Sequence, residues 1–237
     1  MVLIELCVAL EPSEETLKAL LKLTSACFRD DSASLIRVDE GRDKLSFAPH
    51  LTLYQFAIPV ASLDNVCAVL LELGRSVDAG EIIATANNLI LSHREKDAAP
   101  KAVEIMYAKD TNTSSLSLLG LQARVVTALN LFRDGSLIEK DPTGVPLTEQ
   151  VNNDNVAEYG WAEGIQQFNP HVTLGWVDAN SSIDLPKFEG RGDVHTFKAL
   201  SLYILGPLGT CVQKLYSIPL PGCQHPKSST QEKNNGA

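Results

Sequence analysis

One seven-residue pattern occurs twice in this chain, as Phe47-Ala-Pro-His-Leu-Thr-Leu and as Phe168-Asn-Pro-His-Val-Thr-Leu. Phe, Pro, His, Thr and Leu coincide, and the residue after each His is apolar in both copies. For five histidines, a chance match of Pro, Thr and Leu around some pair is on the order of a per cent or less at average residue usage. Along a strand, residues i and i+2 share a face. His50 and Thr52 therefore project together, as do His171 and Thr173, while Leu51, Leu53, Val172 and Leu174 point into an opposite, apolar layer. Pro49 and Pro170 fix the backbone where each strand begins. A fold that satisfies both copies must bury one side of two strands and present a His-Thr pair on the other.

Two such strands side by side line a cleft with two imidazoles and two hydroxyls. Imidazole exchanges a proton near neutral pH. One neutral His activates water or a hydroxyl, and one protonated His supplies the leaving oxygen. Threonine hydroxyls donate to the non-bridging oxygens of a phosphate as its charge redistributes. The chemistry requires neither a metal nor a cofactor. The catalytic residues expected are His50 and His171, and the phosphate-binding residues Thr52 and Thr173. Within that pair His171 is taken as base and His50 as acid, although the repeat allows the reverse.

The flanking pattern is that of an α+β fold with antiparallel or mixed sheets. Strands are expected at 2–10, 51–58, 81–91, 102–107, 171–177, 196–205 and 212–218. Helices are expected after Ser13, over 63–77 behind Ser62, over 115–132 up to Asp134-Gly135, and briefly near 183–188. Residues 30–44 read as a loop. Residues 136–169 form a long connector, a length that points to a functional segment. The polar residues 223–237 read as a disordered tail, leaving 1–222 as a single domain.

Composition narrows the partners. A net charge of −9 argues against a long-DNA or bulk RNA binder, since phosphate neutralisation by basic residues supplies most of that affinity. No apolar run reaches the roughly 18 residues of a membrane helix, and the N-terminal segment carries Glu5 with no basic flank, so neither a span nor a signal peptide is expected. The cysteines at 7, 27, 67, 211 and 223 form no C-x-x-C pair. They read as free thiols of a reducing, cytoplasmic protein. The chain is expected to act as a monomer on a small nucleotide or short oligonucleotide.

These motifs resemble those of the 2H phosphoesterase superfamily, which contains the 2′-5′ RNA ligase-like proteins and the RNA 2′,3′-cyclic phosphodiesterases. The resemblance spans roughly residues 1–220 and rests on motif order and the Phe-x-Pro-His-x-Thr-Leu context. It implies two pseudo-symmetric lobes, each an antiparallel sheet with outer helices, and an active cleft between them holding His50, Thr52, His171 and Thr173. It also implies metal-independent hydrolysis of a 2′,3′-cyclic phosphate or a 2′-5′ linkage. The alternatives are a binding protein that holds the nucleotide without turnover and an end ligase running the reaction backwards. The acidic balance and the 136–169 connector point to a small ligand.

Other residues carry weaker expectations. Tyr54 continues the face of His50 and Thr52 and is a candidate to stack on a base. Tyr159 and Phe168, with Trp161, are candidates for a lid that closes on one. Trp176 reads as core, His195 as structural and His93 as solvated. No H-x-H or H-E-x-x-H pattern supports a zinc site.

Overall fold

The computed structural model describes residues 1–28, 34–38, 46–77, 82–92, 100–108, 117–138, 154–161, 164–165, 167–180 and 183–221. The turn around His93, the stretch 139–153 of the connector and the tail 223–237 lie outside the described residues. The strands are β1 (Leu3–Pro12), β2 (Ser34–Val38), β3 (Ser46–Phe47), β4 (Leu51–Pro59), β5 (Ile82–Ser92), β6 (Lys101–Tyr107), β7 (His171–Val177), β8 (Val194–Leu205) and β9 (Cys211–Pro219). The helices are α1 (Glu14–Cys27), α2 (Leu63–Arg75), α3 (Leu118–Leu129) and α4 (Asp154–Tyr159).

Local chemistry explains the helix ends. The Ser13 hydroxyl accepts from the Thr16 amide at the start of α1, with Glu14 and Glu15 in the positive first turn. Ser117 accepts from the Gly120 amide and starts α3. Asp134 and Gly135, at φ of 47° and 74°, carry the chain out of the helical turn that follows α3. Ser62 precedes α2 but makes no side-chain cap.

The strands pair in the order β3-β2-β7-β4-β1-β8-β5-β6, with β9 on β8 and β6 also paired to β7. Among the described pairings all but β2–β3 are antiparallel. The α+β, antiparallel expectation is met. The pairings do not divide into two separate sheets, however. They run as one path through β4, β1, β8, β5 and β6 that returns to β7, and β7 touches β4 again through the pair Leu51–Val172. The bridging strand is β8, whose residues 194–197 pair with β5 while residues 199–205 pair with β9.

One face of this sheet carries the core. Leu6, Val8 and Leu10 of β1 meet Leu51, Leu53 and Phe56 of β4, Val172 and Leu174 of β7 and Leu200 and Leu202 of β8, under Leu20, Val66, Leu70 and Val125 from the helices. Gly74 of α2 lies so close to β9 that an added Cβ would fall 2.7 Å from Ile218 Cγ2. No described helix is long and apolar enough to cross a membrane.

Two expectations need correction. Residues 34–38 form strand β2 inside the segment read as a loop, because the β7 edge offers Leu-Ile-Arg-Val a partner. Residues 183–188 form no helix. Pro186 lacks an amide donor in the middle of this short segment, and Ile183, Leu185 and Phe188 instead lie against the core.

Candidate active site

The pairing that joins β4 to β7 sets Leu51 opposite Val172 in antiparallel sense. Continued one residue each way, the register puts His50 beside Thr173 and Thr52 beside His171. The burial pattern follows: Leu51, Leu53, Val172 and Leu174 are fully buried, while Thr52, His171 and Thr173 are half-buried on the opposite face. The structure therefore brings His50, Thr52, His171 and Thr173 together at the one place where the two motif strands meet.

Both rings are held the same way. His50 Nδ1 lies 2.8 Å from the Ala48 carbonyl oxygen, and His171 Nδ1 lies 2.8 Å from that of Asn169. A carbonyl only accepts, so Nδ1 carries the proton in each ring, and in the neutral form the lone pair sits on Nε2. The repeat thus fixes the tautomer as well as the position, through a backbone turn two residues upstream of each His.

Their surroundings differ. His50 is buried, and burial lowers its pKa below the ordinary histidine value. The charge of His171 acts in the same direction, partly offset by hydrogen bonds to the Ala48 and Gly209 backbone. His171 is more exposed, and its Nε2 lies 3.9 Å from the carboxylate of buried Glu104 on β6. Glu104 pairs with Thr173 across the strands. Sequence reasoning missed this residue. The available signal was a lone charge inside the apolar strand Ala-Val-Glu-Ile-Met-Tyr.

A second polar group lies on the same face. Thr52 pairs with Ala9, Ala9 with Ser201, Cys7 with Tyr203, and Tyr203 with Lys214. Glu11 accepts from Ser201, from Tyr203 at 2.9 Å and from Lys214 at 2.7 Å. Burial raises the Glu11 pKa, but the hydrogen bonds from Lys214 and Ser201 outweigh it and leave the group a carboxylate. The Tyr203 ring stands 6.3 Å from that of His50. Cys7 Sγ lies 3.9 Å from the Thr52 hydroxyl.

Tyr54 is not on this face. The register between β1 and β4 slips between Val8 and Ala9, so one extra β4 residue is accommodated. That bulge turns Tyr54 into the core with Leu53, where it is fully buried and stacked on Phe56 at 4.7 Å. Its hydroxyl donates to the Tyr159 carbonyl at 2.6 Å and to Asn130 Oδ1 at 3.1 Å. Phe168 and Trp161 are likewise buried in the core, and Tyr159 is half-buried against it. None of these four rings stands on the His-Thr face as a base-stacking platform. The described part of the connector is docked instead, with Ile138 and Val156 packed on Ala57. His195, expected to be structural, hydrogen-bonds Tyr107 across 2.8 Å, and Trp176 is core.

No family model and no curated protein sequence matches the chain. Solved structures do. TT0787 of Thermus thermophilus aligns at a TM-score of 0.59 and 18% identity, over 93% of this chain and 100% of that one. The E. coli LigT complexed with phosphate aligns at 0.53 and 13%, over 93% and 99%. The same protein complexed with 3′-AMP aligns at 0.53 and 13%, over 92% and 99%. At such identities the likeness is one of fold, shared with TT0787 and with E. coli LigT.

Proposed function

We propose that this chain is a 2H-type phosphodiesterase that hydrolyses a 2′,3′-cyclic phosphate or a short 2′-5′-linked oligonucleotide without a metal. The observation that carries this reading is the pairing of the two motif strands at Leu51 and Val172, which sets two imidazoles of identical tautomer and two threonine hydroxyls on adjoining strands. The fold likeness to a protein solved with phosphate and with 3′-AMP supports a nucleotide ligand.

The surroundings favour the opposite division of roles to the one expected from sequence. Burial, which disfavours the charged ring, suits His50 as the base, and the neighbouring Glu104 carboxylate suits His171 as the acid. Water attacks phosphorus as its proton passes to His50 Nε2. The bond from phosphorus to one ribose oxygen breaks on the far side, and that oxygen takes the proton from His171 Nε2. Thr52 and Thr173 donate to the non-bridging oxygens. The products are a phosphomonoester and a free hydroxyl, and the next turnover begins once the proton returns from His50 to His171 through solvent.

The test is a product-resolved screen of 2′,3′-cyclic nucleotides and 2′-5′ oligoadenylates in EDTA. Turnover is expected with the wild type. A loss of about a hundredfold to ten-thousandfold is expected for His50→Ala and for His171→Ala, with smaller losses for Thr52→Val and Thr173→Val. An unimpaired double-histidine variant overturns the reading. Tight nucleotide binding without product replaces it with a binding protein.

A further inference from the structure

Around His50 the sheet brings together three side chains, its own among them, that no role above requires together. Cys7 comes from β1, Cys211 from the first position of β9 and His50 from the threshold of β4, and all three are buried. Two sulfurs and an imidazole nitrogen lie within 4.8 Å of one another. Cys7 and Cys211 are free thiols. With Ala9 and Tyr203 they form a small buried cluster separate from the main core, and Cys7 Sγ lies 3.9 Å from the Thr52 hydroxyl.

We propose that Cys7, Cys211 and His50 form a binding site for a thiophilic divalent cation, with zinc the metal that fits, and that its occupancy withdraws His50 from the cleft. The donor set is two thiolates and one imidazole, the composition of a three-ligand zinc site whose fourth position is open to water or a phosphate oxygen. Metal–ligand bonds of about 2.0–2.3 Å draw such donors to within roughly 3.5–4 Å of each other, so closure needs shifts of about 1 Å. Because the Ala48 carbonyl already holds His50 Nδ1, Nε2 is the ligand, and that carbonyl orients the ring for a metal as it does for a proton. Binding converts two thiols to thiolates and releases two protons. Two negative sulfurs and a doubly positive ion leave the buried site electrically neutral, which keeps the cost of burial low. No oxidation or reduction occurs. The same Nε2 cannot hold the metal and accept a proton from water.

The binding half of this proposal is independent of the proposed activity, while the inhibitory half rests on it. Cobalt(II) is the optical probe, added to the metal-free full-length chain under a non-thiol reductant. One equivalent is expected to give thiolate-to-metal charge-transfer absorption and tetrahedral visible bands, which zinc then bleaches. Cys7→Ser, Cys211→Ser and Cys211→Ala, each checked for a native circular dichroism spectrum, are expected to lose the charge-transfer band or halve it, whereas Cys67→Ala on α2 keeps it. Absence of the band in the wild type overturns the site, as does its persistence unchanged in all three variants. One equivalent of zinc is expected to slow cyclic-phosphate hydrolysis by about a hundredfold, reversibly with EDTA, and to spare Cys211→Ala. Cobalt bands without inhibition overturn the gating role. Cobalt bands in a chain that hydrolyses nothing leave the metal site standing and remove the phosphodiesterase reading.

Discussion

At the residue scale, the two histidines share one geometry and differ in environment. Burial lowers the pKa of His50, and burial also lowers that of His195, against the opposing charge of Asp193. Both groups bind protons less readily folded than unfolded. The unfolded chain therefore takes up more protons once pH drops through the ordinary value of about 6.5. Stability is full above that pH and is lost as pH falls from it toward the folded-state values. Urea midpoints measured from about pH 7.5 down to pH 5 are expected to decline over this window, and less steeply in His195→Gln. Catalysis follows the same sign: the base must be neutral, so the acid limb of the kcat/KM profile is expected to lie below the ordinary histidine range. Glu104→Gln tests the other ring. A unit charge about 4 Å away is worth about 1 kcal/mol even at the dielectric of water, so a fall in kcat of at least roughly fivefold is expected, with KM little changed. An unaffected kcat removes Glu104 from the mechanism.

At the scale of elements, the short helix α4 is anchored by one buried guanidinium. Arg133 donates to Asn130 Oδ1 at 3.1 Å, to the Ser136 carbonyl at 2.6 Å and to those of Ala157 and Glu158 at 3.2 Å each. Asn130 adds a bond to the Glu158 carbonyl, and Tyr54 one to that of Tyr159. These side chains satisfy the carbonyls that the end of a helix leaves exposed. Arg133→Ala is expected to cost on the order of 3 kcal/mol and Tyr54→Phe about 1 kcal/mol, read from denaturant midpoints. The same elements show what the sequence made legible. Period-two alternation places His50, Thr52, His171 and Thr173 on one face, since one pattern repeats and apolar residues alternate with each His-Thr pair. Tyr54 escaped because a bulge shifts the alternation by one, and nothing in Leu-Thr-Leu-Tyr-Gln-Phe marks where it falls. Phe168 and Trp161 belong to the core because the connector folds back onto the body. Cys7, Glu104 and Cys211 reach the histidines through strand pairings among residues far apart in the chain, which no local pattern encodes.

At the scale of the molecule, the two motif strands are neighbours at one pair of residues, while each is held firmly on its other edge, β4 by β1 and β7 by β6. Among the described pairings, the site therefore sits on the thinnest join of the sheet. Its geometry depends on the whole circuit through β8 and β5, and shortening the chain at residue 193, which removes β8 and β9, is expected to abolish the cooperative unfolding transition. A truncated chain that still melts sharply would show that the motif strands assemble without β8. The position of β1 has a further consequence during synthesis. It lies between β4 and β8, so the earliest-synthesised strand of this sheet is at the centre of the finished sheet. At about 5–20 residues per second, β1 waits roughly 10–40 s for its second neighbour, with Leu6, Val8 and Leu10 searching for cover. An apolar strand left without its second neighbour for that long is the kind of edge on which incomplete chains aggregate.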